Sequence, residues 1–250
     1  MFDTVITWLG LTETAKLLAF SPPGWGGNLL YGLRNSITIA LGAFGLGLVI
    51  GTLGACGKLY GGPITRDLLA VYTTLVRGVP ELILILILYY AGTDLINQAL
   101  MSFGYERIEI SGIAAGIGVL GVVQGAYATE VLRGAILAVP PGQIEAARAF
   151  GMPPVMLMRR ITFPAMLSNA VPGMANLWLI ATKDTALLAV VGFSELTLQT
   201  KQAAGSTKAY FTFFLAAGVL YLLITLISER IFALIEKRAR RGQPDVRGST

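Results

Sequence analysis

The sequence predicts an all-α integral membrane protein, from its composition and from the length of its uncharged segments. Of its 250 residues, 54% are apolar and only 13% are charged, whereas a soluble domain carries about 25% charged residues. Four uncharged stretches are each long enough for a helix to cross a hydrocarbon core about 30 Å thick. These stretches are 35–57, 110–129, 161–182 and 209–228.

Five transmembrane helices are expected once a less regular segment is included. In this segment Leu82–Thr93 is apolar but too short to span alone, and the charged sequence Arg77–Glu81 precedes it. We interpret 66–94 as one helix bent at Pro80. The alternative, a core helix of a soluble domain, is disfavoured by the four clear spans. The predicted spans are 35–57, 66–94, 110–133, 161–190 and 209–232, all within a single transmembrane domain, 35–237.

The basic residues orient the chain in the membrane. The segment 1–34 has no basic cluster before an apolar run, so we expect an interfacial, periplasmic N-terminal segment rather than a secretory signal peptide. Most of the 19 Lys and Arg residues lie on one side of the spans, which includes the loop 139–160 and the tail 238–250. Because basic loops stay in the cytoplasm, we expect a cytoplasmic C-terminus and an N-terminus on the outer side of the membrane. Anionic membrane lipid accounts for the basic tail, and no nucleic-acid partner is expected.

The residue types also limit the chemistry. The chain has no His and one Cys, which excludes His-ligated metal sites, His general bases and disulfide frameworks. The predicted spans hold no clustered carboxylates, so a membrane enzyme would have little chemistry available.

Glycines four residues apart indicate close helix packing, because small residues on one helix face let two helices approach closely. Such pairs are Gly47 and Gly51, Gly112 and Gly116, and Gly121 and Gly125.

The loop between the third and fourth spans is expected to contain a short helix. Pro140, Pro141 and Gly142 end the third span. Gln143–Phe150 then has helix-forming composition, and Gly151 is placed to stop the helix. Docking into a cleft of a soluble partner and lying on the lipid surface are both open readings of this helix.

Five charged residues lie in or near predicted spans, where a mid-membrane charge costs about 2.5–3.5 kcal/mol. Each is therefore expected to face a partner or a water-filled path. Arg77 and Glu81, four apart, are predicted to pair along one helix face, as an interfacial anchor, as a gate at the Pro80 bend, or as a contact with the loop between the third and fourth spans. Glu130 is followed by Arg133, and a salt bridge between them is one reading. The remaining two charges are Lys183 and Asp184.

The loop motif is specific. Glu145-Ala146-Ala147, followed by Gly151, Ile161 and Phe163-Pro164, resembles the EAA loop of ABC importer permeases, whose pattern is E-A-A-x3-G-x9-I-x-L-P. Phe163 stands where Leu is usual. Other segments are similar to polar amino acid permeases of this family: Arg77-Gly78-Val79-Pro80, the run 125–134 with Tyr127 and Glu130, and Lys183-Asp184-Thr185-Ala186-Leu187. The runs 57–63 and 89–94 look most like its histidine/lysine/arginine/ornithine and octopine/nopaline branch.

This resemblance implies a type I ABC importer permease fold, with a cytoplasmic coupling-helix loop between the third and fourth spans. The ATPase-coupling residues would be Gln143, Glu145, Ala146, Ala147 and Gly151. The implied partners are a second permease subunit, identical or similar, two ATPase subunits and a periplasmic substrate-binding protein. ATP and Mg would bind the ATPase subunits. This chain is expected to bind no cofactor and to be no enzyme, because Gly57-Lys58 is followed by Leu59 and forms no phosphate-binding loop.

The implied cargo is a polar amino acid, basic ones foremost, or an opine, moved by alternating access. Arg77, Gly78, Pro80 and Glu81 are the candidate gate or helix bend. The candidate substrate path consists of Tyr127, Glu130, Lys183, Asp184 and Thr185. The alternative function is an ion-coupled secondary amino acid transporter or channel, which would predict inverted repeats and no specialised cytoplasmic loop. No internal repeat is apparent in the sequence.

Overall fold

The structure, a computed structural model, describes residues 11–240; the ends of the predicted N-terminal segment and of the basic tail lie outside the described residues. Every regular element of the described range is helical. The ten α-helices in it are α1 (Leu11–Leu17), α2 (Gly26–Tyr60), α3 (Pro63–Gly78), α4 (Glu81–Ser102), α5 (Gly112–Leu137), α6 (Pro141–Ala149), α7 (Pro154–Leu157), α8 (Phe163–Asp184), α9 (Leu196–Thr207) and α10 (Tyr210–Ala239).

Five helical segments are long and apolar enough to cross a membrane, which agrees with the five spans expected from the sequence. They are α2, α4, α5, the run Pro154–Val191 and α10. The first of them starts earlier than predicted. Helix α2 begins at Gly26 and has 35 residues, so 26–34 belongs to this helix and not to a separate N-terminal segment.

The second span differs from the single bent helix 66–94 that we predicted. The chain forms two helices, α3 and α4, separated at Val79, which has φ −105° and ψ 139°. Pro80 explains the break, because a proline disfavours helical geometry in the preceding residue and has no N–H to donate. Only α4 is apolar and long enough to span. Arg77 and Glu81 lie on different helices, so the prediction that they share one helix face is wrong.

The fourth span is also irregular. After α7, residues Met158–Thr162 form a π turn, and the Phe163 N–H bonds to the Met158 carbonyl. In a regular helix the ring of Pro164 would clash with the carbonyl four residues before it, and a π turn is a common way to absorb such a conflict. Helix α8 follows and continues into a 3-10 helix, Thr185–Val191.

The chain divides into two compact units, which we describe separately. The first contains the described parts of 1–43, together with 82–120 and 181–224. It has two apolar clusters, one around Ile39, Ile85 and Leu188, the other around Leu29, Leu196 and Phe213.

The second unit contains 44–81, 121–180 and the described part of 225–250. Its apolar cluster includes Ala55, Ala128, Met166 and Leu177.

Small residues set the contact between α2 and α5 within the second unit, as the glycine spacing predicted. A Cβ on Gly51 would lie 2.5 Å from the Cβ of Ala128, and one on Gly47 would lie 2.9 Å from the Cβ of Gln124. From the other side, a Cβ on Gly125 would lie 2.6 Å from Ile50. Such distances leave no room for a larger side chain, so these glycines allow close backbone approach.

Candidate functional site

The loop between the third and fourth spans carries α6, as the sequence predicted. Its end is a Schellman motif: the Met152 N–H bonds to the Ala147 carbonyl, and the Gly151 N–H bonds to the Arg148 carbonyl. Gly151 has φ +72°, a left-handed conformation that costs a residue with a Cβ roughly 1–2 kcal/mol. The predicted glycine stop is therefore confirmed.

One face of α6 is exposed in the described part of the chain. Gln143, Glu145 and Ala146 are exposed, and Phe150, just after the helix, is 86% exposed. Ala147 is buried, at 4% exposure. A shallow, largely apolar groove of about 250 Å³ is lined by Gln143, Ala146, Ala147, Phe150, Met152 and Ile161. A short helix with an apolar groove and an adjacent carboxylate is suited to contact with a protein partner.

The predicted gate residues occupy the break between α3 and α4. Arg77, Gly78 and Pro80 are exposed, and Glu81 is half-buried at the first position of α4. No neighbouring atom lies within 4 Å of a Cβ placed on Gly78. Helical hydrogen bonding is interrupted at this break, because Pro80 has no N–H to donate.

Glu130 lies in an ion-pair cluster of the second unit. Arg133, on the same helix, donates to Glu130 Oε2 from Nη2 (2.9 Å) and Nε (3.1 Å), so the salt bridge that the sequence allowed is present. The second partner of Glu130 was not expected: Lys58 Nζ, from α2, donates to its Oε1. Lys58 also donates to Thr73 Oγ1 on α3, at 2.7 Å. A charge at the end of a long uncharged run was the only sequence signal for Lys58.

The remaining substrate-path candidates divide between the two units. Tyr127 is half-buried on α5 and packs against the apolar cluster of the second unit. Lys183, Asp184 and Thr185 belong to the first unit. Lys183 is exposed, Asp184 is 9% exposed, and the buried Thr185 donates to the Thr182 carbonyl at 2.8 Å.

A buried carboxylate at Glu195 was missed in the sequence. It precedes α9 and caps that helix, accepting from the Thr197 and Leu198 N–H groups at 2.8 Å each. Tyr221 of α10 donates to it at 3.2 Å, and Ser36 of α2 at 3.4 Å. Acidic residues favour helix N-termini, and this was the available sequence signal. Its burial could not be read from the chain.

The environment of Glu195 changes the pKa of its carboxyl group. The side chain is fully buried, and burial raises the pKa of the Glu195 carboxyl above its usual range, although the hydrogen bonds from Thr197 and Leu198 act in the opposite direction. The described residues contain no group of three or more His, Cys, Asp or Glu side chains placed to hold a metal ion.

Five apolar helices with a structured, partly exposed loop define a polytopic α-helical membrane protein, and comparison with known proteins gives its family. Residues 43–241 match the family described as the binding-protein-dependent transport system inner membrane component. This chain belongs to that family.

Curated relatives match almost end to end. The chain is 40% identical over 231 residues to the octopine transport system permease protein OccQ of Agrobacterium tumefaciens (92% of this chain, 98% of the relative). It is 42% identical to the nopaline transport system permease protein NocQ of Agrobacterium fabrum (90% and 97%). It is 40% identical to the histidine/lysine/arginine/ornithine transport system permease protein HisQ of Salmonella typhimurium (86% and 94%). The resemblance to this branch is thereby confirmed.

Solved structures show the same fold. An amino acid ABC transporter, crystallised with histidines, aligns with a TM-score of 0.73 at 29% identity, covering 86% of this chain and 95% of that chain. The MetNI methionine ABC transporter in an inward-facing conformation aligns with a TM-score of 0.71 at 20% identity (88% and 100%), a likeness of fold. The predicted type I ABC importer permease fold is confirmed.

Proposed function

We propose that this chain is the membrane-spanning permease subunit of an ATP-driven importer for polar amino acids or opines, basic amino acids foremost. The observation that carries the proposal is the EAA-type loop: helix α6 ends in a Schellman motif at Gly151 and exposes Gln143, Glu145 and Ala146. The relatives' names support the cargo class, because they include octopine, nopaline and histidine/lysine/arginine/ornithine transport systems.

The energy source is proposed to lie on other chains. Two ATPase subunits bind ATP and Mg, and α6 of this chain sits in a cleft of one of them, with Ala146, Phe150 and the adjacent groove as its contact surface. Closure of the ATPase pair then moves α6. The stop at Gly151 keeps α6 short and separate from α7, so that it moves as one rigid piece.

Two further partners complete the proposed transporter complex. A second permease subunit, identical or similar to this chain, pairs with it around the path, because five helices of one chain do not comfortably enclose one. A periplasmic substrate-binding protein is proposed to dock on the periplasmic surface of the permease. Helix α9 is a candidate surface for it, since Lys201 and Lys208 are exposed there. The N-terminus is proposed to be periplasmic and the C-terminus cytoplasmic, in the bacterial inner membrane.

Cargo is proposed to pass by alternating access. The helix break at Gly78 and Pro80 serves as the gate, flanked by Arg77 and Glu81. Tyr127, Lys183, Asp184 and Thr185 are the proposed contacts along the path, where a Lys–Asp pair complements both charges of an amino acid. Glu130 was expected to act with them, but both of its carboxylate oxygens have cationic partners within the chain.

Reconstitution tests the proposal directly. The chain is purified with candidate ATPase subunits and the binding protein, placed in liposomes, and supplied with radiolabelled arginine or octopine. Cargo and binding protein together are expected to stimulate ATP hydrolysis, and uptake should require ATP. Uptake driven by a proton or sodium gradient without nucleotide would contradict the proposal and favour an ion-coupled transporter.

A further inference from the structure

The ion-pair cluster around Glu130 joins three helices of the second unit. Lys58 comes from α2, Thr73 from α3, and Glu130 with Arg133 from α5. The side chains of Lys58 and Glu130 are largely withdrawn from the surface, with exposures of 11% and 17%, while that of Arg133 is 37% exposed. Thr73 is 2% exposed. Partly buried charges interact more strongly than exposed ones, because little water screens them.

The hydrogen bonds within the cluster assign a role as donor or acceptor to each side chain. The single hydroxyl proton of Thr73 points back to its own helix, where the Leu69 carbonyl lies at 3.0 Å. The Thr73 oxygen can therefore accept from Lys58 at 2.7 Å. Lys58 supplies the donors to both α3 and α5. Arg133 differs from Lys58, because its contacts to Glu130 stay within α5.

Helix α3 has little apolar packing of its own in this unit. Thr73 and Val76 are its buried residues, while Leu68 is 66% and Leu75 59% exposed. Close approach to α2 occurs at Gly57, where a Cβ would lie 2.5 Å from a methyl group of Leu69. A helix with so few buried residues depends on its polar contacts for a fixed position, and these are the Lys58–Thr73 hydrogen bond and the hydrogen bond from the Tyr72 hydroxyl to the Val122 carbonyl of α5.

We propose that Lys58, Thr73 and Glu130 form a latch that positions α3 on the α2–α5 pair, and that Glu130 acts through this latch and not by binding cargo. The latch holds α3 through Thr73, and α3 ends at the Gly78–Pro80 break. Holding α3 therefore sets where the proposed gate begins. A cationic cargo that reached Glu130 would have to displace Lys58 or Arg133. The positioning of α3 does not depend on the proposed permease function; the effect of the latch on the gate and on cargo does.

The position of α3 is measured without reference to transport. The full-length chain carries Cys56→Ser, which removes its only cysteine, and then one new cysteine labelled with a nitroxide in lipid nanodiscs. Leu68→Cys reports on α3 and Leu53→Cys on α2; these two positions are matched in exposure, at 66% and 69%. Electron paramagnetic resonance spectra give the mobile fraction of each label.

Lys58→Met and Thr73→Val are expected to raise the mobile fraction at position 68 about twofold while position 53 stays unchanged. Thr73→Ser keeps the acceptor oxygen and should behave like the unmodified chain. Arg133→Met is the matched control, because it removes a charge from the cluster and leaves both interhelical hydrogen bonds of Lys58 in place. An unchanged spectrum at position 68 in both latch variants overturns the proposal, as does an equal effect of Arg133→Met.

Transport kinetics separate the latch from a cargo site. In the reconstituted complex, Lys58→Met and Glu130→Gln should lower the maximal uptake rate of arginine or octopine to a similar extent, with the half-saturating cargo concentration unchanged. A rise of about tenfold in that concentration for Glu130→Gln alone would place Glu130 against cargo and overturn the proposal. Because the spin-label spectra are recorded without transport, they still test the position of α3 if the proposed cargo is wrong.

Discussion

At the scale of single residues, the carboxylates of Glu130, which is partly buried, and Glu195, which is fully buried, are stabilised in different ways. Glu130 faces Lys58 and Arg133, so its charge is balanced by two cations. The groups facing Glu195 are neutral donors: two backbone N–H groups, the Ser36 hydroxyl and the phenol of Tyr221. Hydrogen bonds replace only part of the hydration that a buried carboxylate loses, which is why burial raises the pKa of Glu195.

The raised pKa of Glu195 predicts a pH-dependent stability. A carboxyl whose pKa is higher in the folded state than in the unfolded state stabilises the fold below its unfolded pKa, near 4.5. That contribution is lost as the pH rises through the higher folded pKa. We therefore expect the melting temperature of the unmodified chain in detergent to fall, relative to Glu195→Gln, as the pH rises from 4.5 toward neutrality.

Tyr221 is the other titratable group facing Glu195, so Tyr221→Phe is measured alongside. Tyr221→Phe removes one hydrogen-bond donor from the Glu195 carboxylate, and it should therefore enlarge the fall in melting temperature with rising pH. A difference in melting temperature between the unmodified chain and Glu195→Gln that stays constant across this pH range would refute the raised pKa.

At the scale of elements, three irregularities lie beside prolines or glycines. Pro80 separates α3 from α4, Pro164 follows the π turn Met158–Thr162, and Gly151 ends α6. Each has a local cause, because proline removes a donor and crowds the preceding turn, while glycine accepts positive φ. Their positions were visible in the sequence, and the expected stop at Gly151 was confirmed. The expectation that Pro80 only bends a helix was wrong.

Gly151→Ala is expected to weaken the end of α6 by about 1–2 kcal/mol, since φ +72° is unfavourable for a residue with a Cβ. In the reconstituted complex, we expect more ATP hydrolysed per arginine imported, because a distorted α6 transmits less motion. Gly142→Ala is the matched control. It lies in the same helix, a Cβ there meets no atom within 4 Å, and its coupling ratio should not change. Equal ratios for both variants would contradict the role of the α6 stop.

At the scale of the whole molecule, the basic residues predict the orientation in the membrane. Helix α10 runs from Tyr210 to Ala239 and is one of the five membrane-spanning candidates. Lys201 precedes it and Lys237 lies in its last turn; both are exposed. Because cytoplasmic loops are enriched in Lys and Arg, the proposed orientation places Lys201 outside and Lys237 inside.

Cysteine labelling tests this orientation. In the Cys56→Ser background, Lys201→Cys should react with a membrane-impermeant maleimide in intact spheroplasts. Lys237→Cys should react only after the membrane is permeabilised. Each variant is the control for the other, since both replace an exposed lysine, one in α9 before the span α10 and one in the last turn of that span. The reverse pattern would invert the proposed topology.

The sequence by itself determined the properties that repeat along the chain. Four uncharged runs of span length and the segment 66–94 indicated five crossings, glycines four apart indicated close packing of helices, and the Glu145–Gly151 motif indicated a short helix with a glycine stop. These features depend on local spacing and composition, which a chain displays without folding.

The tertiary structure decided which distant groups meet. Lys58 and Glu130 are 72 residues apart, and Ser36 and Glu195 are 159 apart. No local pattern relates such residues, because their contact depends on how helices pack side by side. For that reason the 13% of residues that are charged could be counted from the sequence, while their partners, and hence the roles of Glu130 and Glu195, required the fold.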